Sequence, residues 1–396
     1  MIIACVGKPS AGKSTFFKAA TLAEVDIGNY PFVTIKPNYG TAYVKVKDPA
    51  IEFGKHSNPR NGFCIREYRF VAVDLMDVAG LVPGAHEGKG LGNQFLDDLR
   101  QADVFIHVID VSGSLNEKGE DVERGTYDPK QDIEFLENEL DMWYLGILSK
   151  GWEKFVRQVH QEKGEIVKAL AKQLSGLGVN EEHVKEVIKT LSTEPTKWGN
   201  NELRLIASGL RKKSKPMIIA CNKIDVEGAE EKYNKLKEEF KDYLFIPCSA
   251  ESELALREGA KGGLIDYVPG GCDFEIKDEN KLNDKQKNAL NFINDNILKK
   301  YKSTGVQDVL DKAVFELLRY KAIFPGGVGK LEDSDGNVLP DCFLMKENAT
   351  ALDFAFKLHT DFGKNFIKAI DVRSKMPVGK DYILKHLDII EIMSKK

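Results

Sequence analysis

The sequence has few cysteines and no paired arrangement of them. Its six cysteines stand at positions 5, 64, 221, 248, 272 and 342, without a CxxC pair or a closely spaced framework. This spacing argues against a disulfide scaffold and against a zinc site, and it is typical of reduced thiols in a cytosol. We therefore predict a cytoplasmic protein.

An excess of charge of one sign is also missing. The chain has 57 Lys and Arg residues against 61 Asp and Glu residues, a formal net charge of −4. This balance creates no global field that would hold the protein on nucleic acid or on an anionic membrane, so any such contact must come from a local patch. We expect no DNA or membrane partner, and a monomer rather than an oligomer.

Long hydrophobic runs and internal repeats are absent from the sequence. The N-terminal segment MIIACVGKPSAGKS has an apolar run of about five residues before a glycine-rich loop, which is too short for a signal peptide or a membrane span. It is typical of a first buried strand. The 396 residues exceed what one compact core holds, so two or three domains are expected.

Short apolar runs alternate with helical stretches, which is the pattern of a doubly wound, mostly parallel α/β sheet. The runs are Ile2 to Val6, Tyr68 to Leu75, Val104 to Val111, Met217 to Cys221 and Leu244 to Cys248. The third is apolar nearly throughout, as expected of a central strand, and we interpret His107 within it as a hydrogen-bonded core residue.

The interval between Val111 and Met217 is far too long for a loop, and its apolar residues fall at helical spacing. We predict an inserted helical domain at 129–210 within a nucleotide-binding domain formed by 1–128 and 211–275. A helical connector at 276–319 and a small C-terminal β, α, β domain at 320–396 would follow. The polar face of the insertion fits either a solvated surface or a docking arm.

The segment Gly7 to Ser14, GKPSAGKS, fits the phosphate-binding pattern G-x-x-x-x-G-K-[ST] and lies between a predicted strand and a predicted helix. Lys13 would bridge the β- and γ-phosphates, and the Ser14 hydroxyl would coordinate Mg²⁺. The predicted phosphate-binding residues are Gly7, Lys8, Pro9, Ser10, Ala11, Gly12, Lys13, Ser14 and Thr15.

Two further segments complete the predicted phosphate and magnesium site. Asp77 and Gly80 in DVAG follow an apolar strand, so the carboxylate can hold Mg²⁺ through a water while the glycine N–H reaches the γ-phosphate. Thr34 in NYPFVTIKP would offer its hydroxyl to Mg²⁺. We therefore assign Ser14, Thr34 and Asp77 to the metal and Lys13, Thr34 and Gly80 to catalysis.

Two motifs at strand ends would read the base. Asn222, Lys223 and Asp225 in CNKID can brace the loop, cover the base plane and accept two N–H groups that guanine presents and adenine lacks. Ser249 and Ala250 in PCSA follow the next strand, and the Ala250 N–H can donate to the guanine O6 atom. GTP and GDP are the predicted ligands.

With these motifs in order, the chain resembles the Obg family of P-loop GTPases, within its Obg-like ATPase (YchF-related) branch. The resemblance rests on NYPFVTIKPNYG, on DVAGLVPGAHEGKGLGNQFLDDLRQADVFIHVID, on DIEFLENELD and on the C-terminal LDFAFKLHTDFGKNFIKAIDVRSKMPVGKDYILKHLDIIEI. It implies a coiled-coil-like insertion, a C-terminal β-grasp module called a TGS domain, and association with ribosomes or translation.

The sequence departs from this family at three positions. The chain keeps NKID, whereas members of the branch proper carry an altered motif that admits ATP, so GTP is expected. Ser10 replaces an asparagine that related GTPases link to bound potassium, which puts potassium activation in doubt. Val33 precedes Thr34 where the family often has two threonines.

Leu81 follows DVAG, where many small GTPases place a glutamine that orients the attacking water. An aliphatic side chain cannot make that hydrogen bond, so slow intrinsic hydrolysis is expected. A partner, a cation, or a residue such as His86 or Glu87 would supply the missing help, and the motif does not choose among them.

Three functions remain open from the sequence: a GTPase switch on a ribosome-like partner, an ATPase, or a binding module whose nucleotide is structural. The predicted TGS domain is either an auxiliary packing domain or a contact for RNA or protein. Its aromatic residues, most of which we assign to a core, are interleaved with lysines and an arginine. The aromatic positions are Phe354, Phe356, Phe362, Phe366 and Tyr382, and the basic positions are Lys357, Lys364, Lys368, Arg373, Lys375, Lys380 and Lys385.

Overall fold

The structure is a computed structural model, and it describes residues 1–22, 38–78, 92–191 and 194–395. Its contacts divide the chain into two compact units. The first consists of Met1–Thr41 and Asp74–Val309, and the second of Ala42–Val73 and Leu310–Lys396. The four domain boundaries expected from the sequence stay predictions. The contacts add that the segment 42–73 groups with the C-terminal residues.

The strands of the described residues are numbered in chain order. They are β1 (Ile2–Val6), β2 (Asn38–Lys47), β3 (Phe63–Ile65), β4 (Tyr68–Asp77), β5 (Val104–Asp110), β6 (Met217–Asn222), β7 (Leu244–Pro247), β8 (Ile265–Tyr267), β9 (Phe274–Ile276), β10 (Lys321–Pro325), β11 (Phe343–Met345), β12 (Phe366–Asp371), β13 (Met376–Val378) and β14 (Ile389–Ser394). The five strands predicted from the apolar runs are confirmed as β1, β4, β5, β6 and β7.

The α-helices follow the same order. They are α1 (Lys13–Thr21), α2 (Gly92–Arg100), α3 (Lys130–Ser149), α4 (Trp152–Gln161), α5 (Ile166–Gln173), α6 (Glu181–Ile188), α7 (Asn200–Ser214), α8 (Ala229–Glu239), α9 (Ala250–Lys261), α10 (Asp284–Ile293), α11 (Lys299–Tyr301), α12 (Val306–Lys312), α13 (Ala351–Leu358) and α14 (Thr360–Lys364). Short 3-10 turns occur at Pro49–Phe53, Ser175–Leu177, Pro195–Lys197 and Glu279–Lys281, and π turns at Asn294–Leu298 and Ala313–Leu317.

The large sheet has the strand order β2-β4-β1-β5-β6-β7, with β3 paired to β4. Strand β1 pairs in parallel with β4 through residues 74–77 and with β5, and β5, β6 and β7 continue the parallel pairing. Every residue of β5 is buried, as expected of a strand covered on both faces. The doubly wound, mostly parallel P-loop fold is thereby confirmed. Because its parallel strands end at the same edge, the loops after β1, β4, β5, β6 and β7 lie at that edge.

Helices α3 to α7 occupy the interval that the sequence assigns to a helical insertion. Their apolar side chains share one continuous core with the sheet, in which Tyr144, Leu170 and Val184 join Phe105 and Ile109 of β5. Trp152 and Trp198 stack with their ring centroids 5.8 Å apart and close off this core. The insertion therefore packs as part of the first unit.

The second unit contains a five-stranded sheet in the order β11-β10-β14-β12-β13. Strands β10 and β14 pair in parallel, whereas the other neighbours are antiparallel. Phe354 of α13 packs on one face with Ile323, Ala369 and Ile390. This β-grasp arrangement confirms the predicted TGS domain.

Most of the aromatic side chains of this domain belong to its core, as predicted. Phe354 is fully buried, and Phe366 and Tyr382 are half-buried against the same cluster. The two remaining rings, Phe356 and Phe362, are 47% and 43% exposed. Residues 354 and 356 lie on nearly opposite sides of helix α13, which prevents both rings from facing one core.

Within the described residues, no helix is both long and apolar enough to cross a bilayer.

Candidate nucleotide site

The loop between β1 and α1 has the conformation needed to surround a phosphate. Gly12 lies in the left-handed region at φ 91°, and a Cβ atom there would come within 2.1 Å of Nδ2 of Asn222. Only glycine fits this position. Helix α1 begins at Lys13 with no side chain capping its first turn, so its N–H groups and the positive end of its dipole are available to a phosphate oxygen.

Lys13, Ser14 and Asp77 come together beside this loop. The Lys13 ammonium lies 2.8 Å from Oδ1 of Asp77, and the Ser14 hydroxyl donates to Oδ2 at 2.9 Å. Asp77 is fully buried at the end of β4, and Lys13 is only 8% exposed. The strand pairing brings the two motifs together across 64 positions of sequence.

The chemistry of these groups fits magnesium. Mg²⁺ prefers oxygen ligands, and it is usually held by one or two protein groups together with phosphate oxygens and waters. The Ser14 hydroxyl and the Asp77 carboxylate supply two such oxygens at one place. The described residues contain no cluster of three or more His, Cys, Asp or Glu side chains suited to a metal, so a nucleotide phosphate would have to complete this site.

Asn222 ties together three loops at the edge of the sheet. Its Nδ2 donates to the Ala11 carbonyl at 2.9 Å, and its Oδ1 accepts from the Ala250 N–H at 3.0 Å. The side chain is 4% exposed. The sequence predicts that Asn222 braces this loop, but it does not predict that Asn222 accepts the hydrogen bond of the Ala250 N–H. To donate to guanine O6, this N–H must share or exchange its bond to Asn222.

Lys223 is held by a residue that the sequence interpretation missed. Its ammonium lies 2.9 Å from Oδ2 of Asp110, which ends β5 and is fully buried. Ser112 and Ser114 also donate to this carboxylate. Burial opposes ionisation of Asp110, but these hydrogen bonds and the Lys223 charge outweigh it and hold the Asp110 pKa below its usual value. The missed signal is an acidic residue at the carboxyl end of an otherwise apolar central strand.

Asp225 offers its carboxylate to solvent. The residue is exposed, and it makes no hydrogen bond or ion pair with any described residue. The carboxylate can therefore accept two N–H groups from a base without breaking an existing contact. This is the arrangement that selection of guanine over adenine requires.

Lys8 directs its side chain away from the predicted phosphate position. Its ammonium lies 2.9 Å from the Leu115 carbonyl and 2.9 Å from Oδ2 of Asp132, and 3.9 Å from the ring centre of Tyr127. The residue is 5% exposed, and burial lowers the pKa of its amine while Asp132 opposes that effect. Only the backbone of Lys8 can therefore take part in phosphate binding.

The other predicted binding residues lie on the same loops. Ala11 and Ser249 are buried, Pro9 and Thr15 are half-buried, and Ser10 is exposed. The Ser249 hydroxyl donates to Ser252 at 2.8 Å. Thr34, Gly80, Leu81, His86 and Glu87 lie outside the described residues, as does Val33.

His107 lies in the core of the sheet, as expected, at 2% exposure. Its Nδ1 atom has no hydrogen-bond partner among the described residues, so the predicted hydrogen bond is absent at that atom. Burial and the charge of Lys8 lower the imidazole pKa to about 3. His107 is therefore neutral at physiological pH. It also lines a cavity of about 210 Å³ with Gly7 and Lys8.

Three protein families match successive parts of the chain. The 50S ribosome-binding GTPase family matches residues 2–139, and the G4 motif-containing domain of the Obg-like GTPase YGR210-like family matches residues 220–327. The TGS domain matches residues 334–394. The first two matches contain the phosphate and base motifs described above.

Whole-chain comparisons agree with these matches. The chain is 51% identical to a GTP-binding protein of Methanocaldococcus jannaschii, covering 99% of each, and 37% identical to a GTP-binding protein of Schizosaccharomyces pombe, covering 89% and 88%. It is 30% identical to the ribosome-binding ATPase YchF of Mycoplasma genitalium, covering 92% and 86%. The crystal structure of a GTP binding protein from Pyrococcus horikoshii matches with a TM-score of 0.79 and 40% identity over 100% of both chains.

Proposed function

The chain belongs to the Obg-like family of GTP-binding proteins, and on this basis we propose that it is a magnesium-dependent GTPase acting as a slow molecular switch on ribosomes. The observation that carries the proposal concerns two side chains in the loop after β6, one held by an ion pair and one exposed without a partner among the described residues. Lys223 is held by Asp110, while the Asp225 carboxylate is free to accept the N1 and exocyclic N–H groups of guanine.

The phosphate end of the site would supply the catalytic groups. Lys13 would exchange its contact with Asp77 for the β- and γ-phosphates, and the uncapped first turn of α1 would donate N–H groups to them. Ser14 and Asp77 would hold Mg²⁺. When bound, the ion neutralises charge that develops on the phosphate oxygens during transfer. Thr34 and Gly80 stay predictions as further catalytic groups, and potassium is not part of the proposal because Ser10 replaces the asparagine.

Turnover is proposed to be slow. The sequence places Leu81 where a glutamine would orient the attacking water, and an aliphatic side chain makes no such hydrogen bond. A partner would then accelerate hydrolysis, which is how a switch links its nucleotide state to that partner. We propose the ribosome because relatives at 25–30% identity are named ribosome-binding. We also propose that the protein is a monomer and that it acts in the cytoplasm.

The TGS domain offers a surface suited to an anionic partner. Lys357, Lys364, Lys368, Lys375 and Lys380 make no ion pair with any described residue. Two acidic residues of the same domain are engaged internally, since Asp353 accepts from the Thr350 N–H and Glu391 accepts from the Val328 N–H. Contact between these lysines and ribosomal RNA is part of the proposal.

The experiment that tests the proposal is single-turnover GTP hydrolysis in Mg²⁺, with and without ribosomes from the same organism. We expect a slow basal rate that ribosomes raise by about a hundredfold, which corresponds to about 3 kcal/mol of barrier. Negligible hydrolysis under both conditions, with GDP still tightly bound, would favour a binding module whose nucleotide is structural.

An ATPase is the second candidate function, because the relatives named YchF are also named ATPases. The NKID motif counts against it, since a carboxylate at Asp225 has no pair of donors to accept from adenine. The test is a comparison of GTP and ATP binding to the wild type and to Asp225→Ala. Tighter ATP binding that the substitution leaves unchanged would replace the GTPase proposal.

A further inference from the structure

A short segment far along the chain supports the base-reading loop. The N–H of Ser249 donates to the carbonyl of Thr304 at 2.9 Å, directly before the first turn of α9. On the other side of the same loop, the Ile224 N–H donates to the Cys248 carbonyl at 3.1 Å, and the Ala250 N–H donates to Asn222. The loop that reaches guanine O6 is thus held from two sides, once by the NKID loop and once by Ser303–Gly305.

Gly305 fits this segment tightly against β7. It lies in the left-handed region at φ 85°, and a Cβ atom there would come within 2.0 Å of the Pro247 carbonyl oxygen. The Gly305 N–H donates to the Ser303 hydroxyl at 2.9 Å, and that hydroxyl donates to Asp308. The turn is therefore fixed by its own hydrogen bonds as well as by its packing.

A buried carboxylate joins the segment to helix α9. Oε2 of Glu253 accepts hydrogen bonds from the Thr304 hydroxyl at 2.5 Å and from the Tyr267 hydroxyl at 2.7 Å. Glu253 is fully buried and Thr304 is 1% exposed. Since Glu253 lies in the first turn of α9, Thr304 holds that turn twice, through its backbone carbonyl and through its hydroxyl.

We infer that Thr304, acting through Glu253 and Ser249, is a positioning residue for recognition of the guanine O6 atom. The inference rests on the proposed guanine specificity. N–H groups at the beginning of α9 are the donors that can reach O6, whereas Asp225 reads the N1 and amino groups from a different loop. Removing the hydrogen bond from the Thr304 hydroxyl should therefore weaken the contact to guanine O6 and leave the contact between Asp225 and the amino group unchanged.

The test uses two nucleotide analogues that report the two edges separately. In 6-thio-GDP, sulfur, a weak hydrogen-bond acceptor, replaces O6, whereas IDP lacks the amino group read by Asp225. Calorimetric titration gives the affinities of the full chain for GDP, 6-thio-GDP, IDP and ADP. Thr304→Val keeps the branched shape and removes the hydroxyl, Thr304→Ser keeps the hydroxyl, and Thr190→Val is the matched control in the insertion, where the hydroxyl donates only to a neighbouring carbonyl.

For Thr304→Val we expect GDP affinity to fall about fivefold, as loss of one buried hydrogen bond suggests. The preference for GDP over 6-thio-GDP should shrink by the same factor, with the preference over IDP unchanged. Thr304→Ser and Thr190→Val should behave as wild type. An unchanged 6-thio-GDP preference, or an equal loss of both preferences, would overturn the inference.

Two further measurements keep the test decisive. If Thr304→Val does not fold, Tyr267→Phe removes the other donor to Glu253 and must show the same selective loss. If the wild type itself binds ADP as tightly as GDP, the proposed guanine specificity fails. A different outcome is that the wild type prefers GDP and the Thr304 variant still discriminates GDP from 6-thio-GDP as the wild type does. That outcome contradicts only the role of Thr304.

Discussion

Lys223 and Asp110 form an ion pair of 2.9 Å that joins the base-reading loop after β6 to the end of β5. Asp110 is fully buried, whereas Lys223 is 30% exposed along its side chain. The pair fixes the ammonium end of Lys223. A fixed end leaves the aliphatic stem fewer conformations, which suits a stem that covers a base plane.

Asp110→Asn should weaken nucleotide binding through Lys223. The substitution keeps the shape and, through its amide oxygen, the hydrogen bonds from Ser112. Its NH2 group replaces the oxygen that accepts from Ser114 and Lys223, so the charge and the acceptor that hold the ammonium are both lost. We expect GDP affinity to fall about tenfold, or about 1.4 kcal/mol, by calorimetric titration. Asp121→Asn, an exposed change in the loop that follows, is the control and should bind as wild type. Equal affinities for Asp110→Asn and wild type would show that the ion pair does not position the stem.

Asp225→Asn should exchange the preferred base. An amide presents one donor and one acceptor where the carboxylate presented two acceptors, so it matches the O2 carbonyl of xanthine instead of the amino group of guanine. GDP affinity should fall by about a hundredfold, in the range expected for loss of charge-assisted hydrogen bonds, and binding of xanthosine diphosphate should rise. Asp242→Asn is the exposed control. If GDP binds both proteins alike, Asp225 does not read the base.

Ser14→Ala should remove the effect of magnesium on nucleotide affinity. The Ser14 hydroxyl and Asp77 supply the two protein oxygens of the proposed metal site. With the wild type, GDP should bind more tightly in Mg²⁺ than in EDTA, and Ser14→Ala should bind about equally in both. The EDTA value serves as the internal control, because there the variant should match wild type. A magnesium effect of unchanged size in the variant would place the ion elsewhere.

The sequence was sufficient for the five strands β1, β4, β5, β6 and β7 of the large sheet and for the loops that follow them, whereas β2 and β3 of the same sheet were not predicted. Apolar runs and glycine patterns are local signals, and each predicted strand and motif depended on adjacent residues. The contacts of Lys8 and Lys223 were not predictable in this way, because their partners Asp132 and Asp110 lie more than a hundred positions away in sequence. The hydrogen bond from Ser249 to Thr304 was not predictable for the same reason, since a polar STG turn in a helical connector has no local signature of a binding site.

Stability should depend on pH through His107. Its pKa is about 3 in the folded protein against about 6.5 for an unfolded chain, so folding favours the neutral ring. This contribution is complete above pH 6.5 and is lost as the pH falls toward 3, by up to about 1.4 kcal/mol per pH unit. Urea unfolding at pH 7.5 and pH 5 should show His107→Leu gaining up to about 2 kcal/mol relative to wild type at the lower pH. The exposed control His160→Leu should show no such gain.

The shared core predicts that the insertion and the sheet unfold together. Trp198 is 6% exposed and stacks on Trp152, and both belong to the same apolar cluster as β5. Trp198→Ala should therefore lower the free energy of unfolding by about 3 to 5 kcal/mol. Leu205 of α7 is 63% exposed, so the control Leu205→Ala should change the free energy of unfolding by less than about 0.5 kcal/mol. Far-ultraviolet circular dichroism reports all helices, whereas peptide-resolved hydrogen exchange of β5 along the same denaturant series reports the centre of the sheet. If the two transitions coincide and both shift in Trp198→Ala, the insertion and the sheet share one cooperative core. If only the circular dichroism transition shifts, the insertion unfolds independently and does not stabilise the nucleotide site.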